Sequence, residues 1–235
     1  MVKAELIKRS PLRVFEKSLH GGLGCGNVGV LASKKGVGKT ACLVHIATDK
    51  LFNNKRVVHV SFSSKVDHII CWYEDIYKEI AKKRELEDAV MIHDELVRNR
   101  VIMNFNQETI NIEQVLKSLS ALIKDGKFTA DAVIIDGFKF GEDGLDVFMN
   151  VKEFAKQMNI EVWFSVSLKG REPLFDDAGM PNELASFLGG MDVLITLRYT
   201  EDVVNFVVVK DHGEVSPRKM RLCLDPKTLL IAEVQ

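Results

Sequence analysis

Ser33-Lys-Lys-Gly36-Val-Gly38-Lys39-Thr40 has the residue types and the spacing to hold a chain of phosphates. Two glycines let the backbone curl until successive N–H groups converge on anionic oxygens, and the positive end of a following helix adds to that field. Lys39 would supply a point charge for β- and γ-phosphates, and the Thr40 hydroxyl a hard-oxygen ligand for Mg²⁺. The candidate cofactor contacts are therefore Ser33, Lys34, Lys35, Gly36, Val37, Gly38, Lys39 and Thr40, with Cys42 just inside the helix. Ser33 stands where the strict pattern has glycine. A turn without a ligand is the competing reading, but a lysine aimed into a ring of N–H donors calls for an anion.

A second chemical element is Ala132-Val-Ile-Ile-Asp136, four apolar residues and then a carboxylate. Asp136 at the end of a buried strand would hold a Mg²⁺-bound water opposite Thr40, which makes Thr40 and Asp136 the candidate metal residues.

The elements that must position these groups alternate. Apolar runs predict strands over 28–32, 56–62, 100–105, 131–136 and 161–168, with helices over 39–51, 66–80, 87–98, 112–124 and 146–158 between them. The helix from Val66 carries apolar residues at three-and-four spacing, the mark of one buried face. Such alternation implies a mostly parallel sheet covered on both faces. Four short strands, over 193–197, 203–210, 219–224 and 228–232, suggest an antiparallel extension of the same sheet. A chain of 235 residues, 46% hydrophobic and 28% charged, suits one such domain.

From these residues the chain resembles the RecA-like ATPases of the KaiC and RadA-paralogue branch. Phe15-Glu-Lys-Ser-Leu-His-Gly21-Gly22-Leu-Gly-Cys-Gly26 is similar to that family's entry segment, Val57-Val-His-Val-Ser-Phe62 to its second strand, and Val207-Val-Val-Lys210 to its terminal hairpin. The resemblance covers about residues 10 to 232 and implies a three-layer RecA-like P-loop fold binding Mg-ATP or ADP, with sites between subunits of a homo-oligomer. Lys34, five residues before Lys39, stands where dimeric ATPases of the deviant P-loop type carry a lysine that acts across the dimer, although a lysine on an exposed loop is common.

Three departures touch hydrolysis. Ser63 and Ser64 occupy the places of two family glutamates, and a serine is a poor base for activating water. Ser64 with Asp67 reads instead as a capping box, and Asp67 is the alternative catalytic acid. Lys210 of the family's Lys-x-Arg pair is kept, while His212 replaces the arginine. Ser167 ends the strand where the family often carries a phosphate-sensing amide.

The expected function is a nucleotide-dependent switch or assembly module with weakened or absent hydrolysis. An active ATPase using Lys39, Asp136, Asp67 and Lys210 is one alternative, and a DNA-binding recombinase or helicase paralogue is the other. The loops that would touch DNA carry Lys139, Lys169 and Arg171 against Glu142, Asp143, Glu172, Asp176 and Asp177, and 32 basic residues face 33 acidic ones overall. Phosphate neutralisation there would be feeble. No apolar run reaches the ~18 residues of a membrane span. Scattered Cys25, Cys42, Cys71 and Cys223 suggest reduced thiols and a cytoplasmic protein. Trp72, Trp163 and the histidines at 45, 59, 68 and 93 read as packing residues.

Overall fold

The computed structural model describes residues 1–62, 67–106, 108–141, 143–169, 172–200 and 202–234. It is an α/β structure built on one nine-stranded sheet. The strands are β1 Val28–Ser33, β2 Val57–Ser61, β3 Arg100–Asn104, β4 Ala132–Asp136, β5 Glu161–Ser167, β6 Val193–Thr200, β7 Val203–Asp211, β8 Glu214–Leu224 and β9 Ile231–Glu233. Their order is β3-β2-β4-β5-β1-β6-β7-β8-β9, with β3 through β6 in that row parallel and β7, β8 and β9 antiparallel. The mostly parallel sheet with an antiparallel extension is thus observed.

Helices cover both faces, because the central strands are apolar on both sides. On one face lie α1 Lys3–Lys8, α2 Leu12–Ser18, α3 Lys39–Phe52, α4 Asp67–Lys83 and α5 Ala89–Arg98, packed on Leu31, Val57, Ile134 and Trp163. On the other lie α6 Ile112–Ser120, α7 Gly144–Met158 and a 3-10 helix Asn182–Gly190, packed on Val30, Val58, Val133 and Phe164. Gly29 belongs to this packing: a Cβ there would stand 2.5 Å from the Trp163 ring. No helix among the described residues is long and apolar enough to cross a membrane.

Several boundaries differ from the sequence reading. The N-terminal lead is two short helices, anchored by buried Leu6, Leu12 and Phe15. The helix predicted from Glu87 starts at Ala89, because Asp88 takes a left-handed conformation with φ 53°. The helix predicted through Lys124 is α-helical only to Ser120 and continues as a π turn, Ala121–Asp125. The strand predicted from Thr228 shortens to β9, since Asp225 accepts from Lys227 N–H and Thr228 Oγ1 and turns the chain first. The expected capping box involves Ser64, outside the described residues. A reciprocal box of that kind opens α6, with Asn111 and Gln114 each bonding the other's backbone N–H at 3.0 Å.

Candidate functional site

β1 is apolar to Ala32 and ends in buried Ser33, from which the chain curls into α3. Gly36 (φ 84°) and Gly38 (φ 114°) both take positive φ, and Gly38 is additionally crowded: a Cβ would lie 2.5 Å from Leu224 Cδ2. The first intrahelical bond of α3 runs from Cys42 N–H to Gly38 O, 3.0 Å. The N–H groups of Lys39, Thr40 and Ala41 therefore have no partner within the helix and point out of its positive end.

Lys39 is only 8% exposed. Its Nζ donates to Ser33 O and Ser33 Oγ, both at 3.2 Å, and to Lys34 O at 3.0 Å, so the ammonium sits inside the curl of its own loop. Burial lowers its pKa to about 8, against the opposing pull of the Asp136 carboxylate.

Strand register explains what surrounds it. Ser61 of β2 pairs with Asp136 of β4, and Leu31 of β1 with Ser165 of β5. Alternation puts Ser61, Asp136, Ser165, Ser33 and Ser167 on the α3 face, one polar tier capping the apolar tiers below. Thr40 Oγ1 donates to Asp136 Oδ2 at 2.9 Å, and Ser165 Oγ donates to Asp136 Oδ1 at 2.5 Å. Because β5 runs between β1 and β4, its hydroxyls sit between the loop and the acid.

These groups line a cavity of about 380 Å³, within the ~300–1,000 Å³ common for ligand pockets. Lys35, Gly36, Val37, Gly38, Lys39 and Thr40 form its loop side, and Ser61, Asp136, Ser165 and Ser167 its polar wall. Trp72, Leu224, Pro226 and Leu229 form an apolar wall. Trp72, read from sequence as core, borders this cavity; Trp163 is buried as expected. A separate, largely apolar cavity of about 180 Å³ lies under α1 and α2 beside the end of α3, and holds none of the candidate residues.

Other candidates lie elsewhere. Cys42 is fully buried in the core and does not line the cavity, so its side chain cannot be a cofactor contact in this arrangement. Exposed Asp67 opens α4 and does not line the cavity either. Ser63, Ser64, Glu142 and Arg171 lie outside the described residues. Lys34 pairs with Glu172 of the loop after β5, both largely exposed. Lys210 of β7 pairs with Leu194 near the start of β6, at the end of the sheet away from the loop after Ser33, its Nζ donating to Leu188 O at 2.7 Å and Met191 O at 2.6 Å.

His212 lies at the same end of the strands. One ring nitrogen meets Asp211 Oδ1 at 2.7 Å and the other Leu23 O at 3.1 Å. Burial opposes its charge, but these acceptors win and raise its pKa. The side chain of Asp211 is almost wholly buried; it also takes His20 Nδ1 at 2.6 Å and Arg218 Nη2 at 2.5 Å, tying the glycine-rich entry segment to the β7–β8 hairpin.

Sequence reasoning left Ser61, Ser165, Trp72 and the C-terminal wall out of the site. The alternation in β5 marks Ser165 and Ser167 as one face, a signal that becomes specific only once β5 is known to lie beside β4. No family model matches this chain, and no curated protein matches it.

Proposed function

We propose that the chain is a RecA-like P-loop domain of the KaiC and RadA-paralogue kind, binding Mg-ATP or Mg-ADP and hydrolysing it slowly or not at all. The observation that carries this reading is the buried Lys39 ammonium within a loop of amides, beside a Thr40–Asp136 hydrogen bond of 2.9 Å. Burying an ammonium is costly, and an arriving polyphosphate supplies the missing counter-charge. The amides at the start of α3 would take phosphate oxygens, and Lys39 would turn from Ser33 and Lys34 toward them.

Thr40 and Asp136 present hard oxygens of the type Mg²⁺ prefers, so the residues fit the ion that accompanies nucleoside triphosphates. Bound Mg²⁺ would neutralise phosphate charge. Thr40 would offer it a hydroxyl lone pair, and Asp136 would accept from a water in its shell. The apolar wall of Trp72, Leu224, Pro226 and Leu229 offers a surface for a nucleobase.

Weak hydrolysis is supported by the described residues around the phosphate end. Ser61, Ser165 and Ser167 are hydroxyls, which titrate far above neutral pH and do not take a proton from water. The switch or assembly role rests on that difference between holding and cleaving. Lys210 and His212, at the opposite end of the strands from the loop, would meet a phosphate loop only across a subunit boundary, so the proposal includes a homo-oligomer. A cytoplasmic setting rests on four free cysteines.

Calorimetric titration of the pure protein with ATP and with ADP, each with Mg²⁺, tests this, with phosphate release followed on the same samples. Binding without turnover, lost in Lys39→Ala, is expected. Absence of affinity at millimolar nucleotide overturns the reading, and turnover that disappears in Lys39→Ala replaces it with an active ATPase.

A further inference from the structure

We infer that Ser165 is the positioning residue for Asp136, fixing which of its oxygens faces the metal side of the site. This rests on the nucleotide reading above. Both carboxylate oxygens are engaged, but differently. Asp136 Oδ2 accepts from Thr40 Oγ1, whose lone pairs are what a cation would take. Asp136 Oδ1 accepts from Ser165 Oγ at 2.5 Å, a short distance of the kind seen when a hydroxyl meets a charged acceptor.

The serine is itself held. Its Oγ accepts from Gly137 N–H at 2.9 Å, so its proton is directed to Asp136, and it is 3% exposed. Gly137 can turn that N–H inward because it adopts φ 84°, a conformation glycine takes without strain. Asp136, Gly137 and Ser165 thus close a ring of contacts between β4 and the neighbouring β5. A cation on the Thr40 lone pairs would leave its O–H directed at Oδ2, so the Thr40 and Ser165 hydroxyls would together hold the carboxylate. The bond from Ser165 would fix Oδ1 on the β5 side and so leave Oδ2 turned toward Thr40, where a metal-bound water would be held. Without it the carboxylate can rotate about its Cα–Cβ and Cβ–Cγ bonds and lose that alignment. Partners of this kind typically change metal affinity by ~10–100-fold.

The test compares Ser165→Thr with Ser165→Val, which have the same shape and differ by the hydroxyl. ADP affinity is measured by calorimetry across a Mg²⁺ series and in excess chelator. Ser165→Val is expected to raise the half-saturating Mg²⁺ concentration on the order of tenfold, a larger effect than on ADP affinity in chelator, and to be rescued by Ser165→Thr. Identical metal responses in wild type and both variants would overturn the inference while leaving nucleotide binding intact. Equal losses in both variants, with and without metal, would also overturn it, assigning Ser165 to packing alone. A wild type that binds no nucleotide would sink the underlying reading instead.

Discussion

Leu224, the last residue of β8, lies against Gly38 so closely that a Cβ on the glycine would stand 2.5 Å from its Cδ2. The loop around Gly38 is therefore seated against the C-terminal strands, although most of the chain separates them in sequence. Gly38→Ala carries two penalties: strain at φ 114°, worth ~1–3 kcal/mol, and the contact with Leu224. In Gly38→Ala/Leu224→Ala the contact is relieved and the strain remains. Urea unfolding should show the double variant losing less stability than the sum of the singles, with coupling of ~0.5–2 kcal/mol. ADP affinity should stay reduced in both proteins carrying Gly38→Ala.

Nucleotide affinity should fall as pH rises through about 8. Burial lowers the Lys39 pKa to that value in the free protein, so the side chain is charged below it and neutral above. A bound phosphate favours the charged form, so binding above about 8 must also take up a proton. Calorimetry at pH 7 and pH 9 in buffers of different ionisation enthalpy would show proton uptake only at the higher pH. A flat affinity profile would mean that Lys39 does not meet the phosphates.

Much of the site was readable in advance, for a physical reason. The loop is contiguous, and a strand, a turn with two positive-φ glycines and a helix start are all local requirements. Asp136 was also readable, because an apolar run ending in a carboxylate marks a strand emerging from a core. Strand order was not, since the placement of β5 between β1 and β4 depends on contacts far apart in sequence. That placement brings Ser165 to Asp136, so the serine read only as part of a strand. Helices α1 and α2, of 6 and 7 residues, were missed because segments so short have little intrinsic helicity and form through burial of Leu6, Leu12 and Phe15. The 3-10 helix Asn182–Gly190 ends in two glycines and carries little local signal.

Acid should destabilise the protein between about pH 6.5 and 4. His45 and His59 are buried, and burial lowers both pKa values to about 4. The unfolded chain takes up protons near 6.5 and the folded one does not, so the stability present above 6.5 is lost as pH falls toward 4. His45 uses Nε2–H to reach Leu229 O at 2.8 Å, holding the turn before β9 on α3. His59 meets Tyr73 Oη at 3.1 Å, joining β2 to α4. Thermal melts should show a steeper loss between pH 6.5 and 4.5 for wild type than for His59→Phe. Equal slopes would assign the acid sensitivity to other groups.

Lys210 decides between a structural and an intersubunit role. Within the chain its ammonium caps the carbonyls of Leu188 and Met191 at the end of the 3-10 helix, and burial lowers its pKa against the pull of Asp192. Removing it leaves two carbonyls without their charged donor, a loss of ~1–3 kcal/mol. Lys210→Met keeps most of the aliphatic stem while removing the donor. A purely structural lysine predicts a lower melting temperature for this variant, with unchanged ADP affinity at every protein concentration. A lysine that also serves a neighbouring site predicts something different: wild-type affinity should strengthen with protein concentration, and the variant should lose that dependence. Its attachment to Leu188 and Met191 opposes such reach, since both bonds must break first. The proposed homo-oligomer nonetheless predicts the second outcome, with those two bonds exchanged for the neighbour's phosphates; titrations that coincide at low and high protein concentration would assign Lys210 to structure alone.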